Sequence, residues 1–94
     1  MEPRAVWKYT FDSLNQSLSM PERSNIVHID YPSMWAVVTP AFMDRGLMMV
    51  RHFQWFETGE MSGQIRRPLY LATAMIEGRM YHLFETRRPV RMGN

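Results

Sequence analysis

Three histidines, nine carboxylates and a scatter of hydroxyls are the residues of this chain with the chemistry for catalysis. The pairs close in sequence are His52 with Glu57 and His82 with Glu85. General acid–base or nucleophilic catalysis needs such groups held by a positioned base or orienting partner. None of them sits in a G-x-S-x-G, H-E-x-x-H or phosphate-loop context, and the Gly59 and Gly63 spacing fits no dinucleotide or P-loop pattern. His82 stands among Met80, Tyr81, Leu83 and Phe84, where a hydrogen-bonded, packed imidazole is the more natural use. The histidines, His28, His52 and His82, lack metal-ligand spacing, and with no cysteine the chain offers no thiolate site, disulfide or Cys nucleophile. The expectation is therefore a protein that is not an enzyme and carries no cofactor or metal.

Binding chemistry is better represented. Ten of the eleven cations are arginines, whose planar forks suit phosphate or carboxylate. They are unevenly placed: through Ile65 five basic residues face seven acidic ones, whereas six arginines follow against only Glu77 and Glu85. Aromatic faces that could stack on a ring include Tyr9, Tyr31, Trp35, Trp55 and Tyr70. Trp7 and Trp35 lie inside apolar strands, the setting of core residues, whereas Trp55 adjoins a polar stretch. The candidate ligand contacts are Tyr9, Trp35, Arg51, Trp55, Thr58, Arg66 and Arg67. They centre on the run from Arg51 to Trp55 and on the loop that follows it. Ten methionines supply either filler or an adaptable contact surface.

The elements that must position these residues read as strands. Period-two alternation puts Trp7, Tyr9 and Phe11 on one face. Residues 12–16 read as a loop and 17–20 as a short strand stopped by Pro21, which lacks a ladder donor. Residues 25–30 predict a strand with Val27 and Ile29 on one face and Ile26 and His28 on the other. After Pro32-Ser33, the run Met34-Trp35-Ala36-Val37-Val38 predicts a strand buried on both faces, hairpin-paired to the one before it. Pro40 to Gly46 accommodates a single helical turn, with Pro at its start and Gly at its end. Alternation resumes over residues 47–56, with Arg51 on the face of Phe53 and Trp55, and His52 on the other. Residues 58–68 form a polar loop. Strands at 69–76 and 79–85 close the chain as a hairpin through Glu77-Gly78.

Seven short strands at hairpin spacing leave no room for parallel crossovers, so the fold class is mainly β: one small antiparallel domain, as a curled sheet, sandwich or partly open barrel. Residues 1–86 form the domain and 87–94 a basic tail. A chain of 94 residues, 46% hydrophobic and 13% aromatic, supports one core. It buries only roughly 60–65% of its unfolded surface, which favours self-association as a homodimer or higher homo-oligomer. No apolar run suggests a signal peptide or a membrane span, which points to the cytosol. The net charge of +2 is only weak support for nucleic-acid binding, so nucleic acid is not the expected partner.

The order of certain segments adds a resemblance. Trp7-Lys8-Tyr9 is followed by Met20-Pro21, Ile26-Val27-His28-Ile29 and Trp35-Ala36-Val37-Val38-Thr39-Pro40, then Thr58-Gly59 and finally His82-Leu83-Phe84-Glu85. From Val6 to Glu85 the chain resembles a family of small domains found largely in bacteriophage and prophage genomes. Those domains tend to read T-G-H-P after the long strand, whereas this chain has Thr58-Gly59-Glu60-Met61. The resemblance implies a phage accessory protein of the host cytoplasm that counters bacterial antiviral defence. One implied route is sequestration, without catalysis, of a nucleotide messenger of the cyclic oligonucleotide or cyclic ADP-ribose type. The other is direct inhibition of a host defence complex, as anti-CRISPR proteins do, or a role in phage interaction or assembly.

Overall fold

The computed structural model describes residues 2–60 and 68–91, the segment 87–91 by its backbone alone. The described residues form seven strands and one short helix: β1 (Ala5–Thr10), β2 (Asn15–Pro21), β3 (Asn25–Asp30), β4 (Ser33–Val38), α1 (Pro40–Asp44), β5 (Met48–Glu57), β6 (Leu69–Ile76) and β7 (Arg79–Arg91). They build two antiparallel sheets, one ordered β1-β4-β3 and the other β2-β5-β7-β6. The fold is a small mainly-β sandwich, one of the three architectures expected. Among the described residues no helix is long and apolar enough to cross a membrane.

Alternation explains which side chains meet between the sheets. In β1, Trp7 and Tyr9 are half-buried while Val6 and Lys8 are exposed. In β4 the buried set is Met34, Ala36 and Val38. The opposing sheet contributes Met20, Phe53, Trp55 and Leu83, and Phe11 closes the core from the link between β1 and β2. Phe11 meets Phe53 and Trp55 edge-on, both at 5.9 Å between ring centroids, a preferred aromatic geometry.

Three expectations need correction. β3 does not alternate simply: Ile26 pairs with Ala36 and Ile29 with Met34, so Val27 is an extra, bulged residue. The bulge resets the parity, turning both isoleucines inward and leaving Val27 51% exposed. β4 is buried on one face only. Its outer residues Trp35 and Val37 are half-buried, sheltered by their neighbours in β1 and β3. β7 does not stop near residue 85. It bulges opposite Arg51 and then pairs Val90 with Val50 and Arg91 with Met49. Much of the expected tail is therefore strand, and residues 92–94 lie outside the described set.

The remaining links follow their residues. α1 starts at Pro40 and ends before Gly46, which adopts φ 74°. The β6–β7 turn has Glu77 at φ 51° and Gly78 at φ 79°. Positive φ at both central positions is the tight hairpin turn whose twist matches that of the strands.

Candidate functional site

The link between β2 and β3 crosses from one sheet to the other at one end of the sandwich. Pro21 ends β2, and the chain reverses through Arg23, which takes the left-handed conformation at φ 62°. Ser24 is buried and locks the turn: its Oγ donates to the Pro21 carbonyl at 2.6 Å. The Ser24 carbonyl, left facing inward, accepts a bond from Arg51 Nη1 at 2.7 Å.

Arg51 reaches this carbonyl because β5 places it on the core face, two residues before Phe53. A guanidinium there needs a carboxylate, and Glu85 on the neighbouring strand supplies it. Arg51 Nε and Nη2 donate to the two Glu85 oxygens, each at 2.7 Å. The side chains are 18% and 13% exposed, so this is a nearly buried, bidentate pair. Its charges largely cancel, and the fork geometry fixes the arginine in one orientation. Arg51 thus commits three of its five donors among the described residues.

Around this pair lies a cavity of about 290 Å³, lined by Pro21, Arg23, Ser24, Met49, Arg51, Leu69 and Glu85. Its formal charges sum to +1, from Arg23, Arg51 and Glu85. Pro21, Met49 and Leu69 give it apolar wall. Tyr9 is close enough to Arg51 to feel its charge. Partial burial pushes the Tyr9 phenol above its ordinary value of 10.0, and the Arg51 guanidinium only partly offsets this. Tyr9 is thus a neutral donor at working pH. Its hydroxyl is buried without a hydrogen-bond partner among the described residues. An unpaired buried donor is costly, and an acceptor oxygen would relieve it.

The other candidates disperse. Trp55 is 2% exposed, wedged edge-on against Phe11 and Tyr31 in the core, so neither ring face is open for stacking. Trp35 lies on the outside of the three-stranded sheet, with His28 at 5.2 Å and the Lys8 ammonium 5.9 Å above its ring. Thr58 follows β5 and bonds His82 Nε2 at 2.8 Å. Arg66 and Arg67 lie outside the described residues. Of the expected set, the structure brings together Tyr9 and Arg51.

Of the seven residues lining the cavity, sequence reasoning named only Arg51; the polar and charged ones it missed are Arg23, Ser24 and Glu85. Glu85 carried a signal, since it shares the inward parity of Tyr81 and Leu83 on β7 and an acid there demands a cation. Ser24 and Arg23 had none, because their place depends on how the chain crosses between sheets.

His52 and His82 are used as hydrogen-bonding groups. His82 is held between Thr58 and Thr73, the latter at 3.0 Å from Nδ1, and Tyr70 bonds Thr73 at 2.7 Å. His52 meets Ser17 Oγ through Nδ1 at 2.5 Å. Neither of these histidines has a hydrogen-bonded carboxylate among the described residues, so a serine–histidine–acid relay is not assembled at either.

A sequence profile for a domain of unknown function, DUF7352, matches residues 2–93. The chain belongs to the DUF7352 family. Neither the curated proteins nor the solved structures give a significant match. The profile spans the whole sandwich, so in this DUF7352 member both sheets and the cavity between β2, β5 and β7 fall within the family domain.

Proposed function

We propose that this protein acts by binding without catalysis, capturing a nucleotide in the cavity beside Arg51. The carrying observation is the cavity itself: net positive, walled by Pro21, Met49 and Leu69, with Arg23 at its rim. Phosphate would meet the arginines and a base or sugar the apolar wall. Its volume of about 290 Å³ sits at the low end of ligand pockets, roughly 300–1,000 Å³. That size favours a single nucleotide unit over a cyclic oligonucleotide lying wholly within one chain. Taken with the likeness to phage-encoded domains, the biological reading is sequestration of a messenger of bacterial antiviral signalling in the host cytoplasm.

The test is a thermal-shift panel of mononucleotides, cyclic ADP-ribose isomers and cyclic oligonucleotides. A ligand at about 100 times its Kd stabilises the fold by ~2.7 kcal/mol. A clear rise in Tm is expected for at least one phosphate ligand, reduced by Arg23→Ala, which leaves the Arg51–Glu85 pair in place. A flat panel would sink this reading.

A second reading, a protein-binding inhibitor of a defence complex, rests on a different observation. Tyr70, Met75 and Met80 are 54%, 60% and 47% exposed near one hairpin. Exposed methionine and aromatic groups suit an adaptable protein contact. Pull-down with a stoichiometric host protein, unaffected by Arg23→Ala, would favour it over nucleotide capture.

A further inference from the structure

Each sheet has two edge strands: β1 and β3 in one, β2 and β6 in the other. An edge presents unpaired backbone donors and acceptors, and proteins usually guard it with charge, proline or a bulge. β1 carries Lys8 at mid-strand, and β2 is largely polar and ends in Pro21. β3 is bulged at Val27 and carries His28 and Asp30. β6 differs. Its sequence, Leu-Tyr-Leu-Ala-Thr-Ala-Met-Ile, has neither a charge nor a proline over eight residues. Its own bulge comes early, where Tyr70 pairs with Phe84 and Ala72 with Leu83, leaving Leu71 extra. The rest, residues 72–76, is regular, and among the described residues no strand pairs on its far side.

We propose that β6 is a docking edge for a second copy of this chain, joining two four-stranded sheets antiparallel through residues 72–76. The regular stretch alternates cleanly, with Thr73 and Met75 exposed and Ala72, Ala74 and Ile76 half-buried. Two such stretches paired about Ala74 set Thr73 opposite the partner's Met75 on one face, and Ala72 opposite the partner's Ile76 on the other. Every opposed pair shares a face, as an antiparallel ladder requires. No like charges meet, because the stretch has none. A two-fold axis makes this interface self-complementary, which a heterologous peptide would have to match by chance.

The experiment combines solution mass with amide exchange on the intact chain over a wide range of concentration. The unmodified protein is expected to reach twice the single-chain mass, with exchange in residues 72–76 slowing as the dimer forms. Met75→Lys puts a charge opposite the partner strand and is expected to hold the mass at one chain, with circular dichroism unchanged. Val27→Lys, on the guarded β3 edge, is expected to leave the dimer intact. A single-chain mass at every concentration overturns the proposal. So does a dimer that survives Met75→Lys, or one that forms without slowing exchange in β6.

Discussion

Arg51 and Glu85 form a pair that stabilises only while it is whole. Removing one partner of a fully buried pair costs ~3–5 kcal/mol, and the residual solvent contact of these two lowers the expectation to about 2–4 kcal/mol for Arg51→Met or Glu85→Gln. The double variant Arg51→Met/Glu85→Leu should recover most of that loss, because no lone charge is left behind. Urea unfolding of the three variants measures it. Tyr9 makes a pH prediction. Its folded phenol titrates above the ordinary 10.0, so above that pH the unfolded chain releases a proton that the folded one keeps. Its contribution is thus fully present below pH 10.0 and is lost as pH rises toward the folded value. Tyr9→Phe should flatten this decline, and below pH 10.0 it should be neutral or stabilising by up to about 1 kcal/mol, since it removes an unpaired hydroxyl. Stability measured on both sides of that pH, with and without the substitution, checks the sign. Arg51 was legible as a charge at odds with its apolar strand. Trp55 was misleading for the same local reason: beside a polar loop in sequence, it points into the core in space.

Strands with clean alternation were readable almost to the residue. β1, β5 and β6 each match their expected spans closely, although only β1 alternates cleanly with solvent: β5 has no exposed residue and β6 carries the inserted Leu71. The failures sit where an inserted residue breaks the period. Val27 in β3 flips every later side chain of that strand, and local sequence gives no notice of it. β7 hid its length because its later half pairs only with β5, across a bulge. The β6–β7 turn carries the sharpest element-level prediction. Glu77 holds φ 51°, a conformation that costs a side-chain-bearing residue roughly 1–2 kcal/mol and that asparagine tolerates better. Glu77→Asn should stabilise by about 0.5–1 kcal/mol, and Gly78→Val should destabilise by at least about 1 kcal/mol. Thermal unfolding of both variants tests the turn type.

At the scale of the whole molecule, one small core holds both sheets. Phe53, Met34 and Leu83 are fully buried at its centre. Truncating a buried Phe to Ala costs ~3–5 kcal/mol, against a total of about 5–15 kcal/mol for a typical domain. Phe53→Ala should therefore leave a large unfolded fraction at ambient temperature, seen as loss of near-ultraviolet dichroism and a broadened spectrum. Composition made a single mainly-β core plain. Which sheet each strand joins was not readable, because alternation says that a strand has an inner face without saying what lies across from it.

β7 pairs with β5 on one side and β6 on the other. It is thus interior to the larger sheet, yet last in chain order among the described strands. During synthesis on a ribosome, β1, β3 and β4 can associate early, but they then expose Met34, Ala36 and Val38 with no opposing layer. β5 waits for its second neighbour until the final strand leaves the exit tunnel. β2 and β5 can bring Met20, Phe53 and Trp55 against that face beforehand, so what waits for β7 is the completion of the four-stranded sheet and the arrival of Leu83 in the core.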